Sequence, residues 1–561
     1  MRKPVRRRHV MVTRSILIST ILLGATALLA GCGSDNSPAA SEDLDQVGQT
    51  SIVVPGATAD PNPVTGTATP ASLNRSYAVA YQLPGASAAE VDKVLVLVPG
   101  FQGGAGTFDY LARRVVLRTS GKTVVWAVDR RSNALEDQTG LDAAEAAQDP
   151  DVAKDYYFHH KEIDGKTFAG FLDFLHDDIS YMAEWGIKTH IEDLDALITE
   201  ACRRYPHAAI FLGGHSLGGS IVPIYAAWDF GGRAGFERLS GLLLFEGAPS
   251  PNPSGEIPDR EQYEATGTPG GFGSVSLAML RSGDPLSSIP FVTRDLFATT
   301  EILAMRTSAR FGNPEELNPD QDLIKNFFAL LFALPTIPPM TNRAALAFGF
   351  DKHFEPLAFV RSSIGQAVGP IGPNPRAALF AGALGIDPSG LLAPTDSEAT
   401  YDWDPGSEDG APPPTNIEDM ARALFAGPSN FIEWYFPARL TLDVGITTSL
   451  NVQPTNDWRK DAYGLAVTEN RRVDLPVFAV AGGDGLVGDA SRFEAYRDSI
   501  APTLRNGEPR NAVTAGFEAF TEPHFAHVDV LTGTDRGDAD SEFGRMVGWM
   551  NQAVNLAPAP R

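Results

Sequence analysis

AIFLGGHSLGGS, residues 209–220, joins an apolar run to a serine set between glycines, and SIVPIYAAW (220–228) continues it as a helix-like stretch. A serine hydroxyl attacks little at neutral pH unless a base stands beside it, and it must also be held clear of the backbone. The spacing Gly214–Ser216–Gly218 does the second job. It puts the serine on a sharp strand-to-helix turn, with glycine where a Cβ would clash. The pattern alone also describes a plain glycine-rich turn; the strand before it and the helix after it tell the two apart. Pro223 lies inside the helix-like run, where it either bends the helix or comes early enough to be accommodated.

Around this stretch, apolar strands and helices alternate. VLVLVPG (94–100), TVVWAVD (123–129), SGLLLFEG (240–247) and PVFAVAGG (476–483) read as buried strands from their unbroken apolar runs, and YAVAYQLP (77–84) as an early one. Residues 186–204 carry Ile187, Ile191, Leu194 and Ile198 on one helical stripe, and Pro206 marks its end. EFGRMVGWMNQAV (542–554) reads as a closing helix. This alternation predicts an α/β fold, a mostly parallel sheet with helices on both faces and its functional loops at the carboxyl ends of the strands. Residues 249–474 break the rhythm. They are rich in proline, contain apolar helical pieces such as DLIKNFFALLFAL, and lie between two core strands. An insertion that long is rarely structureless, so a helical cap is expected there, with the core formed by 73–248 and 475–555.

With this layout, GHSLGG resembles the nucleophile elbow of the α/β-hydrolase superfamily, over residues of about 75–248 and 475–555. The resemblance implies a serine esterase or lipase-like hydrolase working through an acyl-enzyme, with Ser216 as nucleophile and no cofactor. It implies an oxyanion hole made by the backbone N–H of Leu217 and by the loop after the third strand, PGFQGG. In that loop Phe101 is the matching position and Gln102 its neighbour. Such loops usually open with His-Gly, whereas this chain has Pro99-Gly100; the donor is a backbone group, so the chemistry survives. The order serine, acid, histidine then points to TEPHFAHVDVLTG, where His527 is preferred as base and His524 lines the loop or is solvated. His215, beside the serine, is expected to pack.

The acid stays open between two strand ends. Asp484, closing PVFAVAGGD, occupies the usual position for the acid and leads; Glu246, closing LLLFEG, is the rival, and Asp489 reads as a loop or capping residue. Asp129-Arg130-Arg131 follows a strand on the functional edge, where it could orient a substrate or hold the cap, with a structural ion pair the favoured role. His159-His160 lacks the i, i+4 spacing of paired metal ligands, and the acidic run 534–542 lacks calcium-loop spacing.

The N-terminus has a separate logic. MRKPVRRRHVMVTR is basic, ISTILLGATALLA is apolar and short, and Leu29-Ala30-Gly31-Cys32 resembles the lipobox of bacterial lipoproteins. That resemblance implies a signal peptide over 1–31, lipidation of Cys32 and anchorage to a membrane of the bacterial cell envelope. Residues 32–72, rich in Ser, Ala, Pro, Gly, Asp and Thr, read as a disordered tether. Removing the leader, with its six basic residues, takes the net charge from −24 to about −30. So acidic a surface argues against nucleic acid as a partner and is neutral towards an uncharged small-molecule ester. Cys202 is the one cysteine besides Cys32, so the mature chain has no intrachain disulfide. Two other roles fit the same residues: a non-catalytic, ligand-binding lipoprotein on a hydrolase scaffold, or an acyltransferase using the same acyl-enzyme.

Overall fold

A computed structural model describes residues 44–557, apart from 177, 250–256, 271–272, 290–291, 333, 335, 385–389, 407, 409, 448–456 and 512–514. The leader and Cys32 lie outside the described residues. Among those described, eight strands form one sheet: β1 (Gly48–Pro55), β2 (Arg75–Gln82), β3 (Lys93–Val98), β4 (Thr123–Asp129), β5 (Ala209–His215), β6 (Gly241–Phe245), β7 (Val477–Gly482) and β8 (Phe517–Glu522). Their order is β1-β2-β4-β3-β5-β6-β7-β8, with β2 antiparallel to both its neighbours and the remaining adjacent pairs parallel. This is the α/β-hydrolase architecture expected from the sequence.

Period-two alternation inside the apolar strands explains why both faces are covered. In β3, Val94, Val96 and Val98 point into one core, where helices α2 (Ile187–Arg204) and α3 (Leu217–Ala226) pack. Leu95 and Leu97 point into the other, against α1 (Asp109–Arg118) and the closing helix at Glu542–Leu556. The α2 stripe is buried as its spacing requires: Ile187, Ile191, Leu194 and Ile198 are each at most 2% exposed. β3 pairs with β4 on one side and β5 on the other, so the loops leaving β3 and β5 diverge at a topological switch point. A ligand crevice forms there.

Two boundaries differ from the sequence reading. The tether does not extend to residue 72. Residues 48–55 pair along their whole length with β2, from Gly48 opposite Gln82 to Pro55 opposite Arg75. Beyond them, the buried Asn62 side chain donates to the carbonyls of Ser180 and Arg281. An edge strand needs few buried side chains, and β1 buries only Ile52, so its composition looks like that of a linker. The cap, in turn, is not 249–474 alone. Its apolar core joins Leu141, Tyr156, Tyr157 and Trp185, from between β4 and β5, to Ile302, Phe328, Phe348 and Trp434. Leu440, Ile446, Val467 and Leu475 instead pack in the sheet's own core. The residues between β4 and β5 are as amphipathic as an ordinary crossover, and only packing shows which layer they join.

Candidate active site

Ser216 sits between β5 and α3 with φ 55° and ψ −121°. A non-glycine residue held there stores on the order of 1–3 kcal/mol of strain, which surrounding contacts must outweigh. Here the Ser216 N–H donates to the Phe245 carbonyl at 3.0 Å, and the Ser216 carbonyl accepts from Gly219 N–H at 2.9 Å. A Cβ on Gly214 would lie 2.3 Å from the backbone of Gly218, so the elbow closes only with glycine at that position. Leu217 begins α3, and the first N–H groups of a helix have no partner within it. The helix runs on through Pro223.

The loop after β3 lies against the serine: a Cβ on Gly100 would approach Ser216 Cβ to 2.7 Å and its Oγ to 3.3 Å. Gln102 is buried with φ 52°. Arg130, at the end of β4, braces this loop. Its guanidinium donates to the carbonyls of Pro99 (2.6 Å), Gly100 (2.8 Å) and Gly103 (2.8 Å), pairs with Glu433 at 2.7 Å and lies over the Phe436 ring. Glu433, from the cap, also accepts from Ser132 Oγ, and its N–H donates to the Gln102 carbonyl at 2.8 Å. An arginine fork suits this because it serves several carbonyls and a carboxylate at once without losing its charge. Arg131 is a structural ion pair with Asp193, at 2.6 Å.

His527 Nδ1 bonds Glu246 Oε2 at 2.8 Å, and neither side chain is more than 1% exposed. The acid that the sequence ranked first, Asp484, is not at the histidine. Its side chain is 44% exposed and pairs with Lys352 at 2.7 Å. The turn after β7 wraps around Glu246 and gives its N–H groups to that carboxylate: Gly482 at 2.8 Å, Leu486 at 2.7 Å and Val487 at 3.2 Å. Asp484 belongs to the turn that solvates the acid. Glu246 itself has φ 44°, a second strained position at a strand end. The signal available in the sequence was a lone carboxylate closing the wholly apolar LLLF, because a buried charge needs dedicated partners.

His527 Nε2 is buried and has no hydrogen-bond partner among the described residues. His215 packs its ring 4.6 Å from that of His527 and bonds the His527 carbonyl through Nε2 at 2.9 Å. Burial pushes the pKa of His215 well down, so it stays neutral and braces the histidine loop. The same loop is held by Asp529, which accepts from Ala526 N–H at 2.7 Å, Ser363 N–H at 3.0 Å and Thr415 Oγ1 at 2.7 Å; burial lifts its pKa to about 6. His524 is exposed. Asp489 is also exposed and caps a short helix by accepting from Ser491 N–H at 2.8 Å.

A cavity of about 110 Å³ runs from Ser216 and Gly100–Gly103 into the cap. Its walls are mostly apolar, with Val292, Phe297, Phe328, Phe350, Phe359 and Val360 among them. Two cap helices supply part of the wall: α4 (Arg294–Thr307) gives Phe297 and Leu303, and α5 (Gln321–Phe332) gives Ile324 and Phe328.

A sequence model of the family Lipase (class 3) matches residues 136–230, a segment that includes α2, β5 and the Ser216 elbow. No curated protein matches the chain. Among solved structures, a candidate lipase from Sulfolobus solfataricus is similar at 13% identity, covering 91% of this chain and 95% of its own, with a TM-score of 0.41. The peroxisomal α/β-hydrolase Lpx1 from Saccharomyces cerevisiae gives 9% identity, 92% of each chain and a TM-score of 0.34. A thermophilic esterase from Thermogutta terrifontis gives 9% identity, 90% of this chain, 99% of its own and a TM-score of 0.28. The chain thus has the α/β-hydrolase fold and, across the segment that carries Ser216, a likeness to class 3 lipases.

Proposed function

We propose that the protein is a serine hydrolase that cleaves carboxylic esters with apolar acyl chains. The observation that carries this reading is the strained Ser216 elbow at the floor of an apolar cavity, with a buried His527–Glu246 pair alongside. In the proposed reaction, Ser216 Oγ attacks the ester carbonyl while His527 takes its proton at Nε2 and Glu246 holds Nδ1–H. The oxyanion receives the N–H of Leu217 and an N–H from the Phe101–Gln102 loop that Arg130 braces. Collapse breaks the ester C–O bond, and His527 returns the proton to the leaving alcohol. Water then attacks the acyl-enzyme by the same relay and releases the acid.

Treatment with a fluorophosphonate followed by intact-mass measurement tests the nucleophile. One adduct is expected on the wild type and none on Ser216→Ala. Absence of any adduct from folded wild type, with or without detergent, would overturn the reading.

For the N-terminus we propose export and lipidation at Cys32, supported by the basic, apolar and LAGC segments in that order. Among the described residues no helix is long and apolar enough to cross a membrane. Cys32→Ala should move the protein from the membrane fraction to the soluble one. Unchanged retention would refute lipidation.

A further inference from the structure

In the mostly apolar cavity, one lining residue among those described is a carboxylic acid. Glu355 lines the same cavity as Ser216 and is 1% exposed. Its Oε1 accepts from Leu357 N–H at 2.7 Å, while Oε2 has no hydrogen-bond partner among the described residues. Arg361 is the nearby cation, yet its guanidinium is directed to backbone: Nε donates to the Glu355 carbonyl at 2.7 Å and Nη2 to the Pro356 carbonyl at 3.5 Å. The neighbouring wall residues Leu357, Phe359 and Val360 offer Oε2 nothing polar. A carboxyl oxygen that no protein group engages is open to a ligand in the cavity that Glu355 lines, and a ligand oxygen placed beside it would give it a partner.

We propose that Glu355 makes the cavity selective for acyl chains bearing a hydroxyl or oxo oxygen part-way along, over plain alkyl chains. The proposal rests on the ester-hydrolase reading for its substrate class. Its chemistry follows from the carboxyl's two ends. Burial raises the Glu355 pKa to about 8, so the group is neutral at pH 7. With Oε1 already accepting from Leu357, the proton falls on Oε2, which then donates to an acceptor oxygen and can accept from a hydroxyl. A chain with no such oxygen leaves that donor unsatisfied, which is how a polar site rejects an apolar analogue.

The test compares kcat/KM for p-nitrophenyl esters of one chain length, either unsubstituted or hydroxylated at successive carbons, in wild type, Glu355→Gln and Glu355→Leu. The wild type is expected to favour one hydroxylated position by at least about tenfold. Glu355→Gln, which still donates and accepts, should keep most of that preference, and Glu355→Leu should bring the ratio to about one. A wild type indifferent to every position would overturn the proposal. So would a Glu355→Leu variant that melts lower but keeps the ratio, because that is the signature of a purely structural residue. Calorimetric binding of the free hydroxylated and plain acids to Ser216→Ala separates the two readings. If no ester is hydrolysed but the affinity ratio responds to position 355, the hydrolase reading falls while the site stands.

Discussion

Ser216→Ala should lower kcat for a short-chain ester by about 10⁵- to 10⁶-fold, the loss seen when a triad nucleophile is removed, while leaving the melting temperature near that of wild type or raising it. The second half of that expectation comes from the backbone. The strain at φ 55° belongs to the turn, and its hydrogen bonds to Phe245 and Gly219 are main-chain bonds that alanine keeps. Only the hydroxyl is lost, and the Cβ that packs against the Gly100 loop is retained. Steady-state kinetics on purified, folded variant would decide the matter. Turnover within tenfold of wild type would mean that this serine is not the nucleophile.

Glu246→Gln should cost about 10³- to 10⁴-fold in kcat, and Asp484→Asn less than about tenfold. An amide at position 246 has one acceptor where the carboxylate has two. Whichever way it turns, its NH₂ meets donors: the Gly482 and Val487 N–H groups on the Oε1 side, or the Leu486 and Val487 N–H groups with His527 Nδ1 on the Oε2 side. With the NH₂ on the Oε2 side, Nδ1 must accept, and the imidazole is pushed towards the tautomer that presents N–H to the serine. Asp484→Asn removes only a bond to Lys352 in a half-exposed position, where such pairs contribute little, and Lys352 keeps Glu408. Measuring kcat for both variants beside their melting curves distinguishes lost chemistry from lost fold. A larger loss at Asp484 than at Glu246 would return the acid role to Asp484.

The parts of this site that were legible from sequence share one property: short-range rules dictate them. Gly214 encodes the elbow locally because the clash it avoids is with the backbone of Gly218, four positions away, whereas a Cβ on Gly218 would meet the Val98 carbonyl at the end of β3. The unbroken apolar runs encode β3 to β7 because a strand buried on both faces has no polar positions. The α2 stripe encodes its own burial by its period.

The acid was illegible for the opposite reason. Glu246 and Asp484 each close an apolar strand, and β6 and β7 lie side by side in the sheet, so both carboxylates arrive at the same edge. What separates them is the direction of a turn: the backbone after Gly482 curls its N–H groups onto Glu246 and turns Asp484 outward.

The sequence by itself determined the α/β-hydrolase core, the position of Ser216 and the histidine loop, since each follows from local sterics or from hydrophobic periodicity. Tertiary structure alone decided which carboxylate reaches His527, that Arg130 holds the Gly100–Gly103 loop, that residues 139–185 belong with the cap and that residues 48–55 join the sheet. Each of those depends on partners from 20 to about 300 residues away, and no local pattern specifies where such partners arrive.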